Sequence, residues 1–90
     1  MKTVVVNKYK EPYDVYIGRG SKFGNPFVIG KDGSRDEVIV KYEKMLSVNV
    51  ELIGVLLSEL EGMRLGCYCK PSACHGDVLV EYIERMRDAV

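Results

Sequence analysis

Thiol and imidazole groups are concentrated near the C-terminal third of the sequence, at Cys67, Cys69, Cys74 and His75. Such groups are ligands that zinc favours, and they can also act as a nucleophile and as a general acid or base. The segment that carries them leaves a predicted strand and enters a predicted helix, whose first-turn amides favour an anion. The residue types of this segment are therefore compatible with metal binding, nucleophilic catalysis and anion binding.

Each residue of this segment has a specific expected role. Cys74 is the candidate nucleophile, because a helix N-terminus and a neighbouring imidazole stabilise a thiolate. His75, the only histidine, is the candidate acid or base, and Asp77 orients it or caps the helix. Cys67 is expected in the core. The alternatives are a zinc site made by Cys67, Cys69, Cys74 and His75, whose spacing is unlike the common zinc pairs, and a Cys69–Cys74 disulfide.

A second candidate segment is the sequence GRGSKFGNPF at residues 18–27, which is too rich in glycine and proline for regular structure. Its glycines let backbone amides converge on an anion, while Arg19 and Lys22 add positive charge. It matches neither the phosphate loop of nucleoside triphosphatases nor the dinucleotide-binding pattern. A solvated structural loop is the plain alternative. Across both segments, the expected ligand-binding residues are Arg19, Ser21, Lys22, Asn25, Cys69 and Gly76.

The surrounding sequence predicts the elements that position these two segments. Three consecutive valines at residues 4–6 predict a strand covered on both faces. Ser34 and Glu37 form a capping-box pattern at the start of a helix, and Asn49 is a plausible N-cap for a second helix that ends at Gly62. Strands are predicted at residues 3–7, 14–17 and 63–69, and the last helix runs from about residue 74 to 87.

This order of elements predicts an α/β fold. A strand joined to a later strand through helices favours parallel pairing with a right-handed crossover. We expect a single domain over residues 1–90, Rossmann-like, with a small, mostly parallel sheet flanked by about three helices. If the strands are parallel, the loops that follow them meet at one edge. Arg19 and Lys22 would then face the helix start at His75.

Composition narrows the classes of function. Charged residues make up 29% of the chain, with 13 of each sign and a net charge of zero, which argues against a dedicated nucleic-acid-binding protein but is compatible with a local basic patch. No apolar run reaches the roughly 20 residues of a membrane helix. The N-terminus becomes polar too early for a signal peptide, and the clustered cysteines are unlike a secreted disulfide framework. We expect a cytoplasmic protein.

Two stretches taken together resemble a family of small domains of unknown function from phages and prokaryotes. They are VYIGRGSKFGNPF at residues 15–27 and LGCYCKPSACHGDVL at residues 65–79, and the resemblance extends over roughly residues 3–83. The resemblance implies that both stretches belong to one functional unit, and it implies no reaction. Tyr68 fits the aromatic position between the paired cysteines, and the other matching positions are Arg19, Gly20, Asn25, Pro26, Cys69, Pro71, Cys74, His75, Gly76 and Asp77.

These observations predict a binding site for an anionic small molecule, a nucleotide or another phosphorylated ligand, between residues 18–27 and 69–77. A transferase or hydrolase acting on a nucleotide or nucleoside is the enzyme class that fits best. The alternative is a zinc-stabilised or protein-binding module without catalysis.

Overall fold

The computed structural model describes residues 2–88. Its elements are β1 (Val4–Asn7), β2 (Val15–Tyr16), α1 (Arg35–Val48), α2 (Val50–Leu60), β3 (Arg64–Cys67) and α3 (His75–Asp88). The strand β3 lies at the centre of the sheet, parallel to β1 on one side and to β2 on the other. The small parallel sheet and the three helices are therefore confirmed. With three strands the sheet is smaller than a doubly wound Rossmann sheet, so the Rossmann-like part of the prediction is not confirmed.

The two faces of the sheet differ in their cover. Side chains alternate along a strand, so Leu65 and Cys67 point to one face and Gly66 to the other. Leu65 and Cys67 are fully buried in a cluster to which all three helices contribute. On the opposite face Val4 is 40% exposed, and Tyr13 packs so closely on Gly66 that a Cβ there would lie 2.6 Å from its ring. Val6 lies on the same face as Val4 and is buried, so the expected cover of β1 on both faces holds at Val6 and fails at Val4. The described helices pack on one face only.

The starts of α1 and α2 follow the predicted caps. The Ser34 hydroxyl accepts from the Glu37 amide at 3.3 Å, and the Glu37 carboxylate accepts from the Ser34 amide at 2.9 Å. The Asn49 side chain accepts from the Leu52 amide at 3.1 Å. Each helix then buries one stripe of side chains, Val38, Tyr42 and Leu46 in α1 and Leu52, Leu56 and Leu60 in α2.

The start of α3 approaches the sheet closely. Gly76 lies in its first turn, and a Cβ at this position would come within 2.8 Å of Ile17 and 2.9 Å of Val5. A side chain here would push the helix away, so the glycine fixes where α3 begins relative to β1 and β2. Across residues 2–88, none of the helices combines the length and the apolar character that crossing a membrane demands.

Candidate functional site

A cleft of about 640 Å³ opens beside the carboxyl-terminal edge of the sheet, and both candidate segments line it. Its volume lies within the range of small-molecule sites, roughly 300–1,000 Å³. The loop after β2, the start of α1 and the turn after β3 all contribute, because parallel strands deliver the following loops to one edge. The residues that matter most below are Tyr16, Arg19, Arg35, Tyr68, Cys69 and His75.

Two arginines bring positive charge to the cleft. Arg19 lines it, and no ion pair forms between its guanidinium and any acidic side chain in residues 2–88. Arg35 also lines it and donates to the Ala73 carbonyl at 3.1 Å, which joins the start of α1 to the turn before α3. Sequence reasoning missed Arg35. The available signal was a basic residue in a first helical turn, where acidic residues are favoured.

Two of the predicted ligand-binding residues lie outside the cleft lining. Lys22 pairs with Glu59 of α2 at 2.7 Å, so the expectation that it faces His75 is wrong. The Ser21 hydroxyl donates to the Gly18 carbonyl at 2.7 Å within its own turn. Both side chains thus stabilise the loop and its packing.

Asn25 lines the cleft, but both ends of its amide already have partners. Its Nδ2 donates to the Val38 carbonyl at 3.2 Å, and its Oδ1 accepts from the Phe27 amide at 2.9 Å. These bonds attach the loop to α1. Asn25 therefore shapes the cleft wall, and its role as a ligand-binding residue stays a prediction.

His75 connects α3 to the end of β2. Its Nε2 lies 2.7 Å from the Ile17 carbonyl, so Nε2 carries the proton, since a carbonyl can only accept. The ring is 8% exposed and meets Tyr42 edge-on, with centroids 5.0 Å apart. Burial lowers the pKa of His75 below its usual value, so the imidazole is neutral near pH 7. Its bond to Ile17 gives it a structural role, because it ties α3 to the residue that follows β2.

Cys74 is buried against a second thiol. It is 2% exposed, its Sγ lies 3.3 Å from the Sγ of Cys67, and it accepts from the Gly76 amide at 3.1 Å. Burial raises the pKa of Cys74 well above its usual range, which keeps it protonated at neutral pH. A nucleophilic cysteine needs the thiolate, so these contacts disfavour the nucleophile hypothesis, which stays a prediction. Cys67 is confirmed as a core residue.

Asp77 caps α3. One carboxylate oxygen accepts from the Cys74 amide at 3.1 Å, and the other pairs with Lys70 at 2.6 Å. Asp77 and Gly76 do not line the cleft, and the Gly76 amide is bonded to Cys74. These contacts lend the expected anion cradle at Gly76 no support, so Gly76 as a ligand-binding residue stays a prediction, while Asp77 follows the capping alternative.

Neither of the other cysteine hypotheses gains geometric support. No group of three or more His, Cys, Asp or Glu side chains in the described part of the chain is arranged to hold a metal ion, so the four-residue zinc set is not assembled there. All three cysteines are free thiols, and Cys74 contacts Cys67 instead of forming the Cys69–Cys74 pair. Cys69 is half-buried and lines the cleft, where it stays a predicted ligand contact.

Two tyrosines close one end of the cleft. The hydroxyls of Tyr16 and Tyr68 lie 3.4 Å apart, and Tyr16 donates to the Arg19 carbonyl at 3.1 Å. The neighbouring Tyr16 hydroxyl and the Lys8 ammonium lower the pKa of Tyr68, while the same tyrosine pair raises the pKa of Tyr16 to about 12. Sequence reasoning did not select Tyr16. The usable signal was that an aromatic residue stands at the end of β2 and another directly follows β3.

Comparison with known proteins places the chain in a family. The family model described as "Domain of unknown function (DUF4326)" matches residues 4–85. An "uncharacterized 12.4 kDa protein in nrdA-td intergenic region" of Enterobacteria phage T4 is 44% identical over 86 residues, covering 91% of this chain and 78% of the phage protein. No solved structure matches the chain. Since the family match spans nearly all of the sequence, this chain belongs to the DUF4326 family.

Proposed function

We propose that the cleft binds a phosphorylated small molecule, a nucleotide in particular, with Arg19 as the main phosphate contact. One observation carries the proposal: segments from distant parts of the sequence line a single cleft that contains two guanidinium groups. Arg19 has no acidic partner in the described chain, so no ion pair must break when a phosphate arrives. A guanidinium binds phosphate with two parallel hydrogen bonds.

The rest of the lining suits the uncharged part of a nucleotide. Phe27, Ile29, Val38 and Ile39 supply apolar surface, and Tyr16 supplies an aromatic ring. Ligand sites are commonly apolar with a few fixed polar groups, and bases are held by stacking and apolar contact. The Arg35 guanidinium, held at the Ala73 carbonyl, offers a second cation in the same cleft.

Binding is the function that these contacts support best. Cys74 is protonated and turned to Cys67, and Asp77 is a helix cap. His75 already donates its Nε2 proton to Ile17. A transferase or hydrolase built on this cleft would need a nucleophile from its substrates or from water, with the cleft supplying charge and position.

The test uses two variants of the same loop. Arg19→Ala removes the cleft cation, whereas Lys22→Ala removes an equal charge that points to Glu59. By calorimetry with AMP, Arg19→Ala should weaken binding by about tenfold or more, since a hydrogen bond to a charged group is worth about 1.5–3 kcal/mol. Lys22→Ala should stay within twofold of the unchanged chain. Equal losses in both variants, or no binding of AMP at millimolar concentration, would contradict the proposal.

A further inference from the structure

A cluster of aromatic rings surrounds one lysine next to the cleft. This tyrosine–lysine cluster consists of Lys8, Tyr9, Tyr13, Tyr16 and Tyr68. The Lys8 ammonium lies 5.6, 6.0, 4.8 and 5.1 Å from the four ring centroids, taken in that order. Tyr9 is 76% exposed and Tyr68 is 48% exposed, so flat aromatic surface remains open to solvent beside the half-buried Lys8.

The cluster is held in place by the backbone around it. At the end of β1, Asn7 accepts from the Tyr9 amide at 2.9 Å through Oδ1 and donates to the Lys70 carbonyl at 2.8 Å through Nδ2. One side chain thus joins the turn that carries Tyr9 to the turn that carries Tyr68. The two rings lie 5.3 Å apart, tilted at 45°. Their arrangement is preorganised, which reduces the entropy lost when a ligand stacks on them.

The cluster continues into the cleft. Tyr16 and Tyr68 belong to both, and the Tyr16 hydroxyl donates to the carbonyl of Arg19. Near this edge the Asp77 carboxylate is paired with Lys70 at 2.6 Å. Lys8 and Arg19, in contrast, have no acidic partner among residues 2–88.

From this continuity we infer that the natural ligand is a short single-stranded oligonucleotide, with one nucleotide in the cleft and the next base stacked on Tyr9 and Tyr68. The inference rests on the proposed function and extends it. Exposed aromatic rings beside a few cations are how proteins hold unpaired bases. A net charge of zero argues against the broad basic face that a duplex needs but fits contact with two or three nucleotides.

The test compares ligands of one and three nucleotides. Calorimetry measures dAMP and a 5′-phosphorylated deoxyadenylate trimer against the full chain, Tyr9→Ala and Tyr9→Phe. The trimer should bind the full chain at least about fivefold more tightly than dAMP, since one stacked base is worth about 1–3 kcal/mol. Tyr9→Ala should remove this gain and leave dAMP affinity unchanged, while Tyr9→Phe should retain it. Tyr9 is largely exposed, so thermal unfolding should show both variants folded.

Each other outcome overturns the inference in a recognisable way. If the trimer binds no better than dAMP, or if Tyr9→Ala keeps the gain, the strand proposal falls while an Arg19-dependent affinity for dAMP preserves the cleft proposal. If neither ligand binds the full chain, both proposals fall. If sedimentation shows a dimer that Tyr9→Ala dissociates, and trimer affinity is unchanged, the cluster is a protein contact instead.

Discussion

At His75 the folded state holds a neutral imidazole whose Nε2 proton is donated to Ile17. Because burial lowers the pKa of His75, the unfolded chain binds a proton more readily than the folded chain just below pH 6.5, the value for an unperturbed histidine. The free energy of unfolding should therefore fall as the pH falls from about 7 through that window. Urea unfolding measured in half-unit pH steps between 7.5 and 5 tests this.

His75→Gln is the matched variant, since its amide can donate to the same carbonyl but does not titrate. It should show a flatter pH profile in this window. Asp14 and Glu37 also have lowered pKa values, from the hydrogen bonds to Arg64 and Ser34 respectively. Their contributions are present above the usual carboxyl pKa and are lost only in more acid solution. Equal slopes for both chains between pH 7 and 5 would show that His75 is not the group responsible.

Individual residues also show where prediction from sequence stops. Arg19 could be selected because its type and its glycine neighbours suit an anion. Lys22 is also a basic residue in the same glycine-containing loop, yet it pairs with Glu59. That partner is 37 positions away in the sequence, and only the packing of α2 brings it near. Residue type predicts what a side chain can do, but its direction depends on contacts distant in sequence.

At the scale of elements, Asp77 has a structural role in a segment whose residue types suggest catalysis, because its carboxylate caps α3. Asp77→Ala removes the bond to the Cys74 amide and the pair with Lys70. We expect it to lower the free energy of unfolding by about 1 kcal/mol and to leave AMP affinity within twofold. Asp36→Ala, in the first turn of α1, is the control, because it removes a carboxylate that takes no part in the Ser34–Glu37 cap of that helix. If Asp77→Ala weakens AMP binding much more than twofold while the chain stays folded, Asp77 contacts the ligand and the capping account is incomplete.

The close approach of α3 to the sheet gives a second prediction at this scale. A Cβ at Gly76 would meet Ile17 at 2.8 Å, so Gly76→Ala should destabilise the chain by about 1–3 kcal/mol through overpacking. Gly54, in the middle of α2, has open space around the same position, so Gly54→Ala should stabilise it by about 0.5–1 kcal/mol. Urea unfolding of both variants measures the contrast. Effects of opposite sign are required, and two stabilising alanines would refute this account of α3.

The elements themselves were largely predictable, since the caps at Ser34 and Asn49 and the apolar stripes of the helices are local patterns. The incomplete cover of one face of β1 was not predictable. Three consecutive valines suit a strand buried on both faces, but Val4 is half-exposed because the helices pack on the other face. Which face a helix covers is decided by the crossover between strands, and no local pattern encodes it.

For the whole molecule, the order β1-β3-β2 with all strands parallel is what creates the site. It brings the ends of three strands, and hence Lys8, Arg19 and Tyr68, to one edge. The meeting of the two candidate segments followed from parallel pairing and could be predicted. The tyrosine–lysine cluster could not, because it depends on the sheet face without helices, whereas the valines at residues 4–6 predicted a strand covered on both faces.

The central claim is that this edge of the sheet binds a nucleotide through the cleft. Titration of the ¹⁵N-labelled chain with AMP, followed by amide chemical shifts, tests it residue by residue. The account predicts saturable shifts at the cleft lining, strongest near Arg19, Gly20 and Ala73. Shifts confined to the second, shallower depression at the junction of α1 and α2, lined by Val48 and Glu51, or no saturable shifts at millimolar AMP, would contradict it.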